Sequence, residues 1–364
     1  MNLKMGKIVF FLALFTILLS PRTHADWAFV ILGDTREDFR RGQVFPEMIK
    51  ELNQTVFKVK DQELKLEFLL HLGDFELKRG SRESLERFKE RLRALKARYF
   101  LVKGNHELVE PTGSSFTLPS IQQVLKNNED FSREYISFFN LKESYYSFDH
   151  RNLHVIILDN SMGTFQVKPG EDIRSGQLLW LEKDLEETAR KVQTGLIRHT
   201  ILCAHIPLPS PSPSVTTHDM LEYVTRNYAE GQSLAEESAK IFWEILERYR
   251  ERSRIGRLFF AHDHRYVSYQ QKGFPVTITG GGGAPLIGEE RGGFYHYLII
   301  LVTDEELKER IIKAYPLKKA PAGGSSQSFP HMRKPDERFR VPVPLSFPDR
   351  LGGLPQRNKR ITLE

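Results

Sequence analysis

Two aspartates, an asparagine and a group of histidines in this chain each stand directly after a short apolar run. Trp27–Leu32 leads into Gly33-Asp34, and Leu66–Leu72 leads into Gly73-Asp74. Tyr99–Val102 leads to Gly104-Asn105-His106-Glu107, Thr200–Ala204 to His205, and Leu258–Ala261 to His262-Asp263-His264. Carboxylate, amide and imidazole donors are the ligand types that suit Zn, Mn, Fe and similar ions. Each piece alone has a plainer reading. Gly-Asp after a strand can be a turn with a helix-capping Asp, and a single His-x-His can lie on an exposed strand. All five together, each ending an apolar run, are poorly explained by chance, and a metal centre gathered from several loops is the chemistry they share.

Such a centre needs elements that bring five loop starts to one place. The runs Trp27–Leu32, Leu66–Leu72, Tyr99–Val102, Leu153–Leu158, Thr200–Ala204 and Arg257–Ala261 read as buried strands. Between them, apolar residues recur at helical spacing: Leu85, Phe88, Leu92 and Leu95; Leu178, Leu181, Leu185 and Ala189; Ile241, Ile245, Leu246 and Tyr249. Strand–helix alternation predicts an α/β domain, and ligands in open α/β sheets bind beyond the carboxyl ends of the strands. Val276–Thr279 and Tyr295–Val302 read as further strands without an intervening helix. Segments 108–143 and 206–234 lack clear periodicity, and loops of that length tend to be functional or mobile. There is no internal repeat.

The order Asp-x-x, Gly-Asp, Gly-Asn-His-Glu, His, Ala-His-x-His resembles the calcineurin-like metallophosphoesterases, most nearly the branch that includes purple acid phosphatases. Tyr145-Tyr146-Ser147-Phe148, Trp180-Leu181-Glu182 and Gly280–Leu286 are similar to that branch too. The resemblance covers about residues 27–302. It implies two mixed β-sheets packed as a sandwich flanked by helices, the four-layer α/β/β/α metallophosphoesterase fold. It also implies two divalent or mixed-valence ions (Zn, Mn or Fe) and a phosphoester substrate. Asp74 would bridge the ions, Asn105, His205 and His262 would complete one site, and Asp34 with His264 would serve the other. His106 would stand beside the substrate as a catalytic residue.

The physics suits those roles. Two cations about 3.5–4 Å apart lower the pKa of a bridging water and hold phosphoryl oxygens between attacking and leaving groups. The resulting hydroxide attacks phosphorus in line, and His106 stabilises the developing charge or protonates the leaving oxygen. Two positions depart from the family pattern. Many relatives begin with Asp-x-His, where this chain has Asp34-Thr35-Arg36. Purple acid phosphatases supply a tyrosinate three residues after the bridging Asp, where this chain has Leu77. One site is thus left with three identifiable protein ligands, to be completed by water or a carboxylate such as Glu76. Arg36 itself cannot ligate a cation, because a guanidinium has no acceptor. Near two metals it would be repelled unless an anion lay between, so it is expected, with Asn105 and His106, to bind the substrate phosphate through paired donors. The plainer alternative has Arg36 pointing outward to Glu37 or Asp38.

A phosphomonoesterase is the leading expectation, with a phosphodiesterase or nucleotide pyrophosphatase behind it. A non-catalytic phosphate- or metal-binding protein of the same fold is the rival from another class. The incomplete first motif favours that rival, and the intact Asp74, His106 and remaining ligands oppose it. Gly280–Gly283 lacks the Gly-Lys-Ser/Thr of a phosphate-binding loop and reads as a tight turn. His71, His154 and His199 read as packed or exposed single residues, and His218 could reach substrate. No motif sets the natural substrate, the metal or the oligomeric state.

Charge is unevenly placed. The 364 residues carry a net +6, yet from Tyr315 onward ten Lys/Arg face four Asp/Glu, and residues 26–314 hold 40 basic and 43 acidic groups. The folded body is therefore not a nucleic-acid-binding core, which would carry the positive surface itself. Residues 315–364 read as a basic Pro/Gly-rich extended tail, and 26–314 as the catalytic domain. In residues 1–25, Lys4 and Lys7 precede the apolar run Ile8–Leu19, and Thr23-His24-Ala25 offers a cleavage site. That is the order of a signal peptide, predicting export to a periplasm or secretion. The run has twelve residues, short of the roughly 20 of a bilayer span, so no stable anchor is expected after cleavage. Cys203 is the one cysteine; no intrachain disulfide can form, and it reads as a buried strand residue.

Overall fold

The computed structural model describes residues 25–36, 44–59, 62–75, 81–108, 130–165, 172, 174–208, 234–314 and 360–362. The first sheet has the order β13-β12-β1-β4-β5. Its strands are β1 (Trp27–Leu32), β4 (Leu66–His71), β5 (Arg98–Leu101), β12 (His296–Val302) and β13 (Leu307–Lys313). The second has the order β10-β11-β9-β8-β7-β6. It comprises β6 (Tyr146–His150), β7 (Leu153–Ile157), β8 (His199–Cys203), β9 (Ile255–Phe260), β10 (Tyr266–Gln271) and β11 (Phe274–Thr279). β1, β4 and β5 run parallel, as do β7, β8, β9 and β11, while antiparallel strands close the edges.

Strand β1 shows how the layers are specified. Trp27, Phe29 and Ile31 pack with Val155 and Ile157 of β7 and Ile201 of β8, between the sheets. Ala28, Val30 and Leu32 point the other way, onto helices. A strand buried on both faces needs an unbroken apolar run, which is what WAFVIL provides. Outside the first sheet lie α1 (Val44–Gln54), α2 (Arg82–Leu92) and α3 (residues 130–138). Outside the second lie α4 (Gly176–Gln193) and α5 (Leu234–Tyr249). The result is the expected four-layer α/β/β/α sandwich.

Helical spacing explains the outer layers. Leu85, Phe88 and Leu92 form the buried stripe of α2, whose first turn is capped by Ser81 Oγ accepting the Ser84 N–H. Leu178, Leu181, Leu185 and Ala189 do the same for α4. A third, small sheet joins β2 (Val56–Val59), β3 (Gln62–Leu64) and β14 (Arg360–Thr362). β14 belongs to the basic tail: it pairs in parallel with β2, and Ile361 is buried against the α1 side of the core. That order is absent from the reading of residues 315–364 as an extended tail. The rest of that tail and the leader lie outside the described residues. No helix among the described residues is long and apolar enough to cross a membrane.

Candidate metal centre

Asp34, Asp74, Asn105, His205 and His262 all follow the carboxyl ends of parallel strands, β1, β4, β5, β8 and β9 respectively. Three of them are held in the left-handed backbone region: Asp34 at φ 58, Asp74 at φ 59 and His262 at φ 68. That region is uncommon for non-glycine residues, costs on the order of 1–3 kcal/mol each, and persists where surrounding contacts over-determine it. Here the contacts are reciprocal. Asp34 N–H donates to Gly73 C=O and Thr35 N–H to Asp74 C=O, both at 3.0 Å. The His262 N–H donates to Asp34 Oδ2, and the His106 N–H to Asp74 Oδ1, both at 2.9 Å. Gly73, at φ +95, allows this closeness: a Cβ there would lie 2.8 Å from His205 Nδ1.

One donor set converges tightly. Asn105 Oδ1 lies 2.9 Å from His205 Nε2 and 3.0 Å from His262 Nδ1, and the two ring nitrogens are 3.3 Å apart. Asp74 Oδ1 is 3.2 Å from the same His205 nitrogen. Ligands that each sit about 2.0–2.2 Å from an ion are spaced about 3.0–3.5 Å from one another, so the set fits a single cation. His205 Nδ1 is 2.7 Å from Leu72 C=O; a ring N–H must face that carbonyl, which turns the Nε2 lone pair inward. Asp34 and Asp74 each keep one buried carboxylate oxygen without a hydrogen-bond partner, and Asp34, Asp74 and His205 offer atoms all within 4.8 Å of one another. Burial alone would raise Asp74, but the His205, His106, Arg36 and His262 charges hold it well below the carboxylate range. Burial likewise opposes charge on His205, yet Asp74 and Asp34 raise it.

The second set is occupied by the protein's own cation. His264 Nε2 is 3.5 Å from Asp34 Oδ1, and its Nδ1 faces Pro285 C=O at 2.6 Å. Arg36 Nη2 donates to that His264 Nε2 at 2.9 Å, Arg36 Nε is 3.3 Å from Asp74 Oδ2, and Nη1 meets the His106 ring. The guanidinium thus spans from Asp74 to His264. A divalent ion about 4 Å from it would meet a repulsion of about 8 kcal/mol at an effective dielectric near 20. The Glu37 and Asp38 that offered the alternative partners lie outside the described residues, as do Glu76, Leu77 and His218.

Several residues support the site from outside the expected ligand set. Glu107 accepts backbone N–H groups from Asp74, Phe75 and Gly104, each at 2.8 Å; burial and the Asp74 charge push its carboxyl up to about 7 against those donors. Asn160 Oδ1 accepts the N–H groups of His205 and Ile206, fixing the end of β8. Lys103 is fully buried just before Gly104, donating to Ser132 Oγ at 2.6 Å with Asp159 Oδ2 3.8 Å away. His296 sits under the glycine turn, bonded to Thr279 and Phe294 C=O, and burial lowers it to about 4. The turn itself is tight as expected: Gly282 and Ala284 donate to the Gly33 and Asp34 carbonyls. His71 is fully buried, linked to Thr35 Oγ1 at 2.9 Å and lowered to about 3 by burial and the His205 charge. His199 is packed beside Thr303, and Cys203 is a buried thiol raised by desolvation. His154 is not a simple packed residue: both ring nitrogens face carboxylates, Asp149 and Asp184.

A sequence model of the calcineurin-like phosphoesterases matches residues 28–266. The chain belongs to this family. That family uses a dinuclear metal site. Its solved neighbours include a purple acid phosphatase from yellow lupin (Lupinus luteus) seeds, at 17% identity and TM-score 0.51, covering 81% of this chain and 52% of that one. This calcineurin-like chain therefore spans about half the length of the lupin protein, and the likeness concerns the fold. A dimetal phosphatase from Danio rerio aligns at 13% identity and TM-score 0.43, over 79% of this chain and 98% of its own. A 5'-nucleotidase from Staphylococcus aureus, described as putative, aligns at 15% and TM-score 0.40, over 81% and 55%. No curated protein matches the chain.

Proposed function

We propose that this calcineurin-like phosphoesterase hydrolyses phosphomonoesters. The observation that carries the reading is the convergence of Asp74, Asn105, His205 and His262 donors at 2.9–3.3 Å with Arg36 and His106 beside them. An ion bound in that set supplies a Lewis acid for a phosphoryl oxygen and lowers the pKa of water. Arg36, whose side chain is 19% exposed, offers a fork of donors to further phosphoryl oxygens. His106, whose Nε2 meets Arg36 Nη1 and lies 3.9 Å from Asp74 Oδ2, would stabilise charge on the leaving oxygen, or protonate it once a phosphate draws Arg36 away. Asn105, through its amide, holds the ion and borders the substrate.

A monoester presents three unsubstituted phosphoryl oxygens where a diester presents two, and this site has a third group of donors in Arg36. The purified chain should therefore turn over a monoester such as p-nitrophenyl phosphate with kcat/KM at least about tenfold above the corresponding bis-ester, a difference of about 1.4 kcal/mol. The reverse order would reassign it to diesters or pyrophosphates. Turnover of neither, with phosphate still bound, would make it a binding protein.

A further inference from the structure

We propose that Arg36 takes the place of the family's second metal ion, so that this enzyme works with one ion per chain, held by Asp74, Asn105, His205 and His262. The proposal rests on the phosphoesterase reading and refines its metal requirement. Two independent observations carry it. In the sequence, Arg stands two residues after Asp34, where many relatives place a ligating His, and Leu77 adds no donor. Among the described residues, Asp34, the shared Asp74 and His264 remain for a second ion. In the structure, the guanidinium lies on two of those three. It is 3.3 Å from Asp74 Oδ2 and 2.9 Å from His264 Nε2.

The contact with His264 is directional. The Pro285 carbonyl faces His264 Nδ1 at 2.6 Å, which assigns the proton to that nitrogen and leaves Nε2 as an acceptor for Arg36. A metal and a guanidinium compete for the same lone pair, and both cannot use it. Asp34 Oδ2 accepts the His262 N–H at 2.9 Å and so positions a ligand of the first site, while its buried Oδ1 makes no hydrogen bond and faces that same site. A guanidinium stays charged across the whole working pH range and presents paired N–H donors. It can therefore neutralise a phosphoryl oxygen from the side where relatives use a cation, without exchanging with solvent.

The test is an ion count on the full chain, stripped with chelator and reloaded with Mn(II), read by elemental analysis and by electron paramagnetic resonance. The wild type should hold about one Mn per chain with the hyperfine pattern of an isolated ion. Arg36→His or Arg36→Asp, each restoring a ligand, should raise the count to about two and produce an exchange-coupled spectrum. Two coupled ions in the wild type would overturn the proposal while leaving the phosphoesterase reading intact. No bound ion after reloading with Mn(II), and likewise with Zn(II) and Fe(II), would overturn both. A count of one in both variants, each shown to be folded by its thermal transition, would also overturn it, since Arg36 would not then decide the number.

Discussion

Glu107 Oε2 accepts the backbone N–H of Asp74 at 2.8 Å, across 33 residues of chain. The same carboxylate takes the Phe75 and Gly104 N–H groups, so one side chain ties the loop after β4 to the loop after β5. It holds Asp74 in its left-handed conformation and Asn105 one residue from the tie.

Glu107→Gln puts an amide NH2 where one of these backbone donors points. Hydrogen bonds to charged groups are each worth about 1.5–3 kcal/mol, and loss of one should lower the unfolding free energy by about that amount in chelator. Metal affinity should fall by roughly 10–100-fold, as for other residues that support ligands from outside the coordination shell. Urea unfolding and metal titration measure both quantities, and an unchanged pair of values contradicts the role.

His154 gives a pH prediction far from the centre. Its ring lies 2.5 Å from Asp149 and 2.8 Å from Asp184, with Lys191 on the outer oxygen of Asp149 and Ser147 on Asp184. Burial lowers His154, but the two carboxylates raise it above 6.5 overall. A histidine raised on folding stabilises fully below its unfolded pKa and loses that contribution as pH rises through its folded value. Asp149, pulled down to about 2 chiefly by its bond to His154, contributes above its ordinary 3.8 and fails as pH falls toward 2. The Tm difference between wild type and Asp184→Asn should thus be larger near pH 6 than near pH 9. An equal difference at both would show that His154 is neutral in the fold.

The sandwich core was legible because strands buried on both faces must be unbroken apolar runs, as in β1, β4 and β8. Five of the six positions expected to ligate metal stand at the ends of such runs, and His264 came with His262. Helix α1 was readable in principle, since Phe45, Met48, Ile49 and Leu52 have helical spacing and are buried. β13 was hidden because Glu309 occupies its row: the carboxylate is 8% exposed, paired with Arg257 and bonded to Tyr266 and Thr277, and reads as polar. β14 has three residues and exists only through its pairing with β2 about 300 positions earlier. Glu107 was visible as the end of Gly104-Asn105-His106-Glu107 but not its role, and Asn160 not at all, because no spacing marks a side chain whose partner is a peptide. The Arg36 contact with His264 depends on how two loops close, which Asp34-Thr35-Arg36 alone does not encode.

The leader makes a separate prediction. Lys4 and Lys7, the apolar run Ile8–Leu19 and Thr23-His24-Ala25 should direct export and cleavage, so protein from the native host should begin near Asp26. Mass spectrometry of that protein decides it, and an intact terminus at Met1 or Asn2 contradicts export by this route.

A metal held at Asp74 should drive phosphoester hydrolysis. The most direct measurement follows phosphate release from p-nitrophenyl phosphate by the full chain, first stripped with chelator and then resupplied with Mn, Zn or Fe. The stripped wild type should be silent and recover on resupply. Asp74→Asn, folded but missing the carboxylate that faces both His205 and Arg36, should stay more than about 100-fold below it, beyond the range for a supporting residue. Full hydrolysis by the metal-free preparation, or by Asp74→Asn, would contradict it.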